Sequence, residues 1–221
     1  MTYRAVLFDL DGTLLDTVAD LADSMNCVLA RMGFPGHETE AYKRFVGDGV
    51  ENLARRALPE AHRDEQTVAR CVAAMRKEYG RRWADKTRPY DGIRELLDAL
   101  TRRGIAIAVL SNKPDDFTKA IATRMLGTWR FAIVAGARPG VRQKPDPGEA
   151  LRIAQGMGTA PAEFLYVGDT GTDMRTANAA GMHAVGALWG FRNAQELLEG
   201  GAKVLIEKPI ELLDVLDGRH A

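Results

Sequence analysis

Ala5-Val6-Leu7-Phe8-Asp9-Leu10-Asp11-Gly12-Thr13 opens on four apolar residues and closes on two acids, a glycine and a threonine. A short apolar run bounded in this way predicts a strand buried on both faces that delivers polar groups at its carboxyl end. The same pattern recurs downstream. Residues 105–110 run into Ser111-Asn112, 131–135 into Gly136, 164–167 into Gly168-Asp169, and 184–188 into Trp189-Gly190, with 204–206 as a further strand. Between them, Ile93, Leu96, Leu97 and Leu100 follow helical spacing up to Gly104, and residues 117–125, 151–157 and 174–180 read as further helices. Strands alternating with helices predict an α/β fold, a Rossmann-like parallel sheet wound on both faces.

One segment interrupts the alternation. Between Thr17 and Trp83 no strand pattern occurs, while Val18, Leu21, Met25, Val28, Leu29 and Met32 keep helical spacing and residues 64–83 read as a long helix. Residues 17–83 are therefore expected to form an all-helical cap inserted after the first strand, its interior filled by Met25, Met32 and Met75. Residues 1–16 and 84–221 form the core. The chain rejoins the core near Arg88-Pro89-Tyr90-Asp91-Gly92, which sets the cap above the carboxyl ends of the strands, where open α/β sheets bind ligands.

The composition narrows the function. A chain of 221 residues with 46% hydrophobic content is long enough for one core with an insert. Thirty basic residues balance thirty acidic ones, so no long-range field gathers nucleic acid or an anionic membrane, and an anion site must be local. Cys27 and Cys71 are too few for a disulfide framework and too far apart for a zinc site, which fits a reducing cytoplasm. The start, Met1-Thr2-Tyr3-Arg4, lacks the apolar core of a signal peptide, and no stretch is long enough to span a bilayer. No protein partner is expected. His37, His62, His183 and His220 form no ligand cluster and read as surface or packing residues.

Chemistry is suggested by several strand ends taken together. Asp9 and Asp11 beside Gly12 are, alone, compatible with a turn held by Asx hydrogen bonds. Gly168-Asp169-Thr170-Gly171-Thr172-Asp173 brings a second acid pair, with Asp173 equally suited to capping the next helix. Four carboxylates at two strand ends repel one another unless a cation sits among them. Oxygen-only donors favour a hard ion, and magnesium is usual where phosphate shares the coordination shell. A carboxylate nucleophile at Asp9, with Asp11 as general acid and base, is the logic of a two-step phosphoryl transfer. Such transfer needs donors for the phosphate oxygens. Ser111 opens Ser111-Asn112-Lys113-Pro114, otherwise an ordinary strand-to-helix turn, and Lys144 precedes Pro145-Asp146-Pro147, otherwise a surface lysine.

These segments resemble the four motifs of the haloacid dehalogenase-like superfamily: Asp9 to Thr13, Ser111, Lys144 with its prolines, and Gly168-Asp169 through Asp173. The resemblance spans roughly residues 3–216. It implies Asp9 as nucleophile, Asp11 as acid and base, and magnesium held by Asp9, the Asp11 carbonyl and Asp169, with Asp173 in support. Thr13, Ser111, Asn112 and Lys144 are the implied phosphate-binding residues. An acid at position 11 is similar to the phosphatases of the superfamily rather than its dehalogenases. Val46-Gly47-Asp48-Gly49-Val50 and Ser111 to Pro114 resemble phosphoglycolate phosphatases, which makes Gly47 and Gly49 candidate substrate contacts as well as a positive-φ turn between helices. Those relatives usually carry acid near the start of the loop 136–143, where this chain has Arg138 and Arg142, either solvated or facing an anion. The implied activity is a magnesium-dependent phosphatase for a small phosphorylated metabolite. A sugar-phosphate phosphatase or a phosphomutase of the same fold, and a phosphate-responsive regulatory protein without turnover, are the alternatives.

Overall fold

A computed structural model describes residues 3–219, so Met1, Thr2 and His220 lie outside it. The elements in chain order begin with β1 (Ala5–Phe8), β2 (Leu15–Asp16), α1 (Val18–Arg31), α2 (Thr39–Phe45), α3 (Val50–Ala57) and α4 (Glu65–Arg82). They continue with β3 (Arg88–Pro89), α5 (Ile93–Arg102), β4 (Ala106–Pro114), α6 (Asp115–Leu126), β5 (Ile133–Ala137) and α7 (Gly148–Gly156). The last are β6 (Phe164–Gly168), α8 (Gly171–Ala179), β7 (His183–Ala187), α9 (Ala194–Glu199), β8 (Val204–Ile206) and α10 (Leu212–Leu216).

Six strands form one parallel sheet in the order β5-β4-β1-β6-β7-β8. The strand quoted at the outset is central, with Ala5 paired to both Ala106 and Phe164. Strand alternation sends Val6 and Phe8 into one apolar core and Ala5 and Leu7 into the other, which is why all four residues are buried and why the run carries no polar residue. The architecture is the expected Rossmann-like core with an all-helical cap. Among the described residues no helix is long and apolar enough to cross a membrane.

The cap comprises α1 to α4, with α1 packed along α4 and Met25 and Met75 buried between them. Met32 is only partly buried at the edge of the same core. Asp64 caps α4, its carboxylate accepting from the Thr67 amide at 2.9 Å. Gly47 and Gly49 take φ of 121° and 88° in the turn between α2 and α3. The crossing between cap and core is a two-stranded antiparallel ribbon, Leu15 opposite Pro89 and Asp16 opposite Arg88. Two-residue strands are too short to show periodicity, and the ribbon was not expected.

Two further details depart from the expectation. β4 does not stop at Leu110 but runs on through Ser111-Asn112-Lys113-Pro114, with a register shift against β5 before Pro114 pairs with Ala137. The helix after β6 is capped by Thr170 rather than Asp173. Asp173 is the third helical residue, and its Oδ2 accepts from the Thr170 amide and hydroxyl at 3.1 and 2.6 Å while the Thr170 side chain answers the Asp173 amide, a reciprocal capping box.

Candidate active site

Four chain segments converge at the carboxyl ends of β1, β4 and β6. After Phe8 the backbone leaves the sheet and tightens: the Leu14 and Leu15 amides donate to the Leu10 carbonyl, and the Gly12 amide donates to the Leu15 carbonyl. Gly12 sits at φ 91°, and a Cβ there would come within 2.3 Å of Asp169 Oδ2, so the turn and the acid of β6 fit together only with glycine. Thr13 Oγ1 donates to Asp169 Oδ1 at 2.9 Å and the Phe191 amide donates to Oδ2 at 2.8 Å. Thr13, expected to bind phosphate, is therefore spent on orienting Asp169.

Lys144 is the pivot of the site. Its Nζ lies 2.7 Å from Asp9 Oδ1, 2.7 Å from Asp173 Oδ1 and 3.2 Å from the Leu110 carbonyl. Burial alone would push its pKa down; the carboxylates of Asp173 and Asp9 more than reverse this, so it stays an ammonium. Asn112 holds the loop that carries it, accepting from the Lys144 amide at 2.9 Å and donating to the Lys144 carbonyl at 3.1 Å. The Asn112 side chain also donates to the Gly47 carbonyl of the cap at 3.2 Å.

Asp9, Asp169 and Asp173 are buried, with a carboxylate oxygen from each lying within 4.8 Å of the others. Burial, and then the surrounding carboxylates, raise Asp9 well above the ordinary range, although Lys144 pulls it down. Burial and then Asp173 raise Asp169 to about 7. One ammonium among three such acids leaves excess negative charge without water to screen it. The donor set is all oxygen, which fits a hard divalent ion. Residue by residue the group differs from the expected metal set: Asp173 stands with Asp9 and Asp169, while the Asp11 carboxylate turns away.

Asp11 instead meets Lys113, whose Nζ is 3.0 Å from each of its oxygens. Lys113 was not singled out by sequence reasoning. Its signal was its place two residues after Ser111, which on an extended β4 puts both on one side of the strand. The Lys113 amide donates to Ser111 Oγ at 3.2 Å, and its ammonium lies 4.5 Å from the ring centroid of Tyr79 on α4.

Asp9, Asp11, Ser111, Asn112, Gly47 and Gly49 all line one cavity between core and cap. Further hydrogen bonds tie the cap down over it: Thr172 Oγ1 to Asp48 Oδ1 at 2.8 Å, and the Arg192 guanidinium to the Val46 carbonyl at 2.8 Å and to the Lys43 carbonyl. Arg138 pairs with Glu149 at 2.7 Å and Arg142 with Asp146 at 3.4 Å, and neither lines this cavity.

Comparison with known proteins agrees with this geometry. The family model described as haloacid dehalogenase-like hydrolase matches residues 6–187. A phosphoglycolate phosphatase of Pseudomonas putida is 34% identical over 88% of this chain and 72% of its own length. One from Xanthomonas campestris pv. campestris is 33% identical over 95% of this chain and 94% of its own. A crystal structure from Lactobacillus delbrueckii subsp. bulgaricus superposes with a TM-score of 0.90 at 29% identity, covering 98% of this chain and 99% of that one. With a converging set of acids, lysine and serine at the strand ends and a family match that runs from the first strand through the seventh, the chain belongs to the haloacid dehalogenase-like hydrolases.

Proposed function

We propose that this chain is a phosphatase that hydrolyses a small phosphorylated metabolite through an aspartyl-phosphate on Asp9. The observation that carries the reading is the Asp9 carboxylate, buried, 2.7 Å from Lys144 Nζ and facing a cavity that Asp11 and Ser111 also line. The relatives that are phosphoglycolate phosphatases support the class and make 2-phosphoglycolate the first compound to assay.

In this mechanism an Asp9 oxygen attacks phosphorus and the bond to the leaving oxygen breaks. Asp11 gives a proton to the leaving alkoxide, then takes one from the water that cleaves the acyl phosphate, which returns Asp9 and frees phosphate. Ser111 and Lys144 are placed to meet the phosphoryl oxygens, and Asn112 fixes the Lys144 backbone. Asp9, Asp169 and the Asp11 carbonyl would hold magnesium, with Asp173 beside them. When bound, the ion supplies the positive charge that lets a carboxylate approach a phosphate dianion. Asn112, Asp48 and Arg192 hold the cap shut, which keeps bulk water from the intermediate until the leaving group departs.

The test is phosphate release from 2-phosphoglycolate, several sugar phosphates, pyrophosphate and a nucleotide, with and without magnesium. Magnesium-dependent release that disappears in Asp9→Asn supports the reading. Isomerised sugar phosphate with little free phosphate would identify a mutase, and phosphate-analogue binding without turnover would identify a regulator.

A further inference from the structure

The cavity over Asp9 has an end that the phosphoryl chemistry does not use. Its volume is about 110 Å³, space for about four water-sized groups at ~30 Å³ each. The acids and Ser111 form its floor. Leu21, Val46, Leu53, Val72, Met75 and Phe117 form the walls beyond, drawn from the cap and from α6.

Two cations line the same space, and both are already answered. Lys113 is held by both oxygens of Asp11, and Arg76 pairs with Asp116 on the core side while its guanidinium lies 5.3 Å from the Phe117 ring centroid. A carboxylate entering among these walls would lose its water and either break one of those pairs or remain without a counter-charge, and buried unpaired charge is strongly disfavoured. One polar atom is unanswered. The Tyr79 side chain is 3% exposed, lines the cavity, and its hydroxyl has no hydrogen-bond partner. A buried hydroxyl without a partner is unfavourable, so a ligand atom that accepts from it gains a specific contact.

We infer that the preferred substrates are phosphomonoesters whose leaving group is uncharged and largely apolar, with a single hydrogen-bonding oxygen met by Tyr79. This rests on the phosphatase reading and sharpens its substrate class. Size does not separate such compounds from 2-phosphoglycolate, whose leaving group also fits about this volume; charge does. Tyr79 is then a specificity-determining residue contributed by the cap, distinct from the groups that act on phosphorus.

The experiment compares kcat/KM for 2-phosphoglycolate, butyl phosphate, and butyl phosphates bearing a hydroxyl at carbon 2, 3 or 4, in the wild-type chain, Tyr79→Phe and Asp9→Asn, with magnesium. Butyl phosphate is expected to exceed 2-phosphoglycolate by at least tenfold. One hydroxylated ester is expected to exceed butyl phosphate in the wild type, an advantage that Tyr79→Phe abolishes while leaving butyl phosphate itself within twofold. Phenylalanine keeps the ring under Lys113, and an unchanged melting temperature confirms that the fold is intact. Turnover of 2-phosphoglycolate at or above that of every neutral ester overturns the inference and leaves the phosphatase reading standing. A loss in Tyr79→Phe that is equal for all esters overturns the role of the hydroxyl. Absence of Asp9-dependent release from every compound overturns the phosphatase reading and this inference with it.

Discussion

The ammonium of Lys113 sits 3.0 Å from both carboxylate oxygens of Asp11, in a site where both side chains are almost fully buried. The pair joins the expected acid and base on the β1 turn to the last stretch of β4, and through the ring of Tyr79 to the cap. Removing one partner of such a pair leaves a buried charge alone. Lys113→Met is expected to destabilise the protein by about 3 kcal/mol, and Asp11→Asn in the same chain to recover part of the loss. Urea denaturation of the two single variants and the double variant measures the coupling; additive losses would show that the pair is not an energetic unit.

Asp9→Asn is expected to bring phosphate release below detection, because an amide neither attacks phosphorus nor forms an acyl phosphate. Asp11→Asn keeps the nucleophile and loses proton transfer. Its kcat is expected to fall by about 10²- to 10⁴-fold, with KM within a few-fold of wild type. Steady-state kinetics with magnesium separates the two cases, and near-normal turnover in Asp9→Asn would remove the nucleophile assignment.

Metal and protons compete for the acid cluster. Asp9 and Asp169 both have raised pKa values in the fold, Asp169 to about 7 from an ordinary 3.8. Carboxylates shifted in this direction bind protons more tightly when folded, so their contribution to metal-free stability is full below the ordinary pKa and is lost as pH rises through about 7. The metal-free protein is therefore expected to melt at a lower temperature at pH 8 than at pH 5.5. Magnesium at about 100 times its Kd adds roughly 2.7 kcal/mol. The melting temperature should accordingly rise by several degrees at pH 8 and by much less at pH 5.5. Calorimetry at both pH values with added magnesium or EDTA checks this, and an equal rise at both would count against the cluster as the binding site.

Gly12→Ala places a methyl group 2.3 Å from Asp169 Oδ2 on a backbone at φ 91°. The conformation alone costs about 1–2 kcal/mol for an L side chain, and Asp169 must also move off Thr13. Magnesium affinity, followed by isothermal titration, is expected to fall at least tenfold while the circular dichroism spectrum stays that of wild type. Unchanged affinity would show that Asp169 does not hold the ion.

Much of this arrangement was legible in the chain itself. Ala5 to Phe8 reads as a buried strand because no polar residue interrupts it, and residues 204–206 were placed without error. The helical character of the insert followed from Val18 to Met32, and the positive-φ turn at Gly47 and Gly49 from the glycines themselves. What was missed depends on contacts between remote segments. Thr13 looked like a phosphate donor because the distance to Asp169, 156 residues on, is invisible to local pattern. Asp173 looked like a helix cap because the competing cap, Thr170, acts through a reciprocal bond that either residue type permits. Lys113 was hidden because the expected turn after Leu110 is instead a continuing, shifted strand. The apolar walls around Tyr79 needed α4 and α6 to be placed face to face.

The position of β1 in the sheet also bears on how the protein is made. It is among the first segments to leave the ribosome, yet its two hydrogen-bonding neighbours begin at Ala106 and Phe164. The helices between Val18 and Arg82 pair with one another and require nothing downstream, so the cap has the means to fold while β1 still has both edges bare. A nascent chain halted before residue 164 carries its nucleophile on a strand with at most one partner, and without Asp169 or Asp173 it cannot assemble the acid cluster. Biosynthesis therefore delays the reactive centre until roughly three quarters of the chain has emerged, which protects incomplete chains from binding metal or phosphate too early.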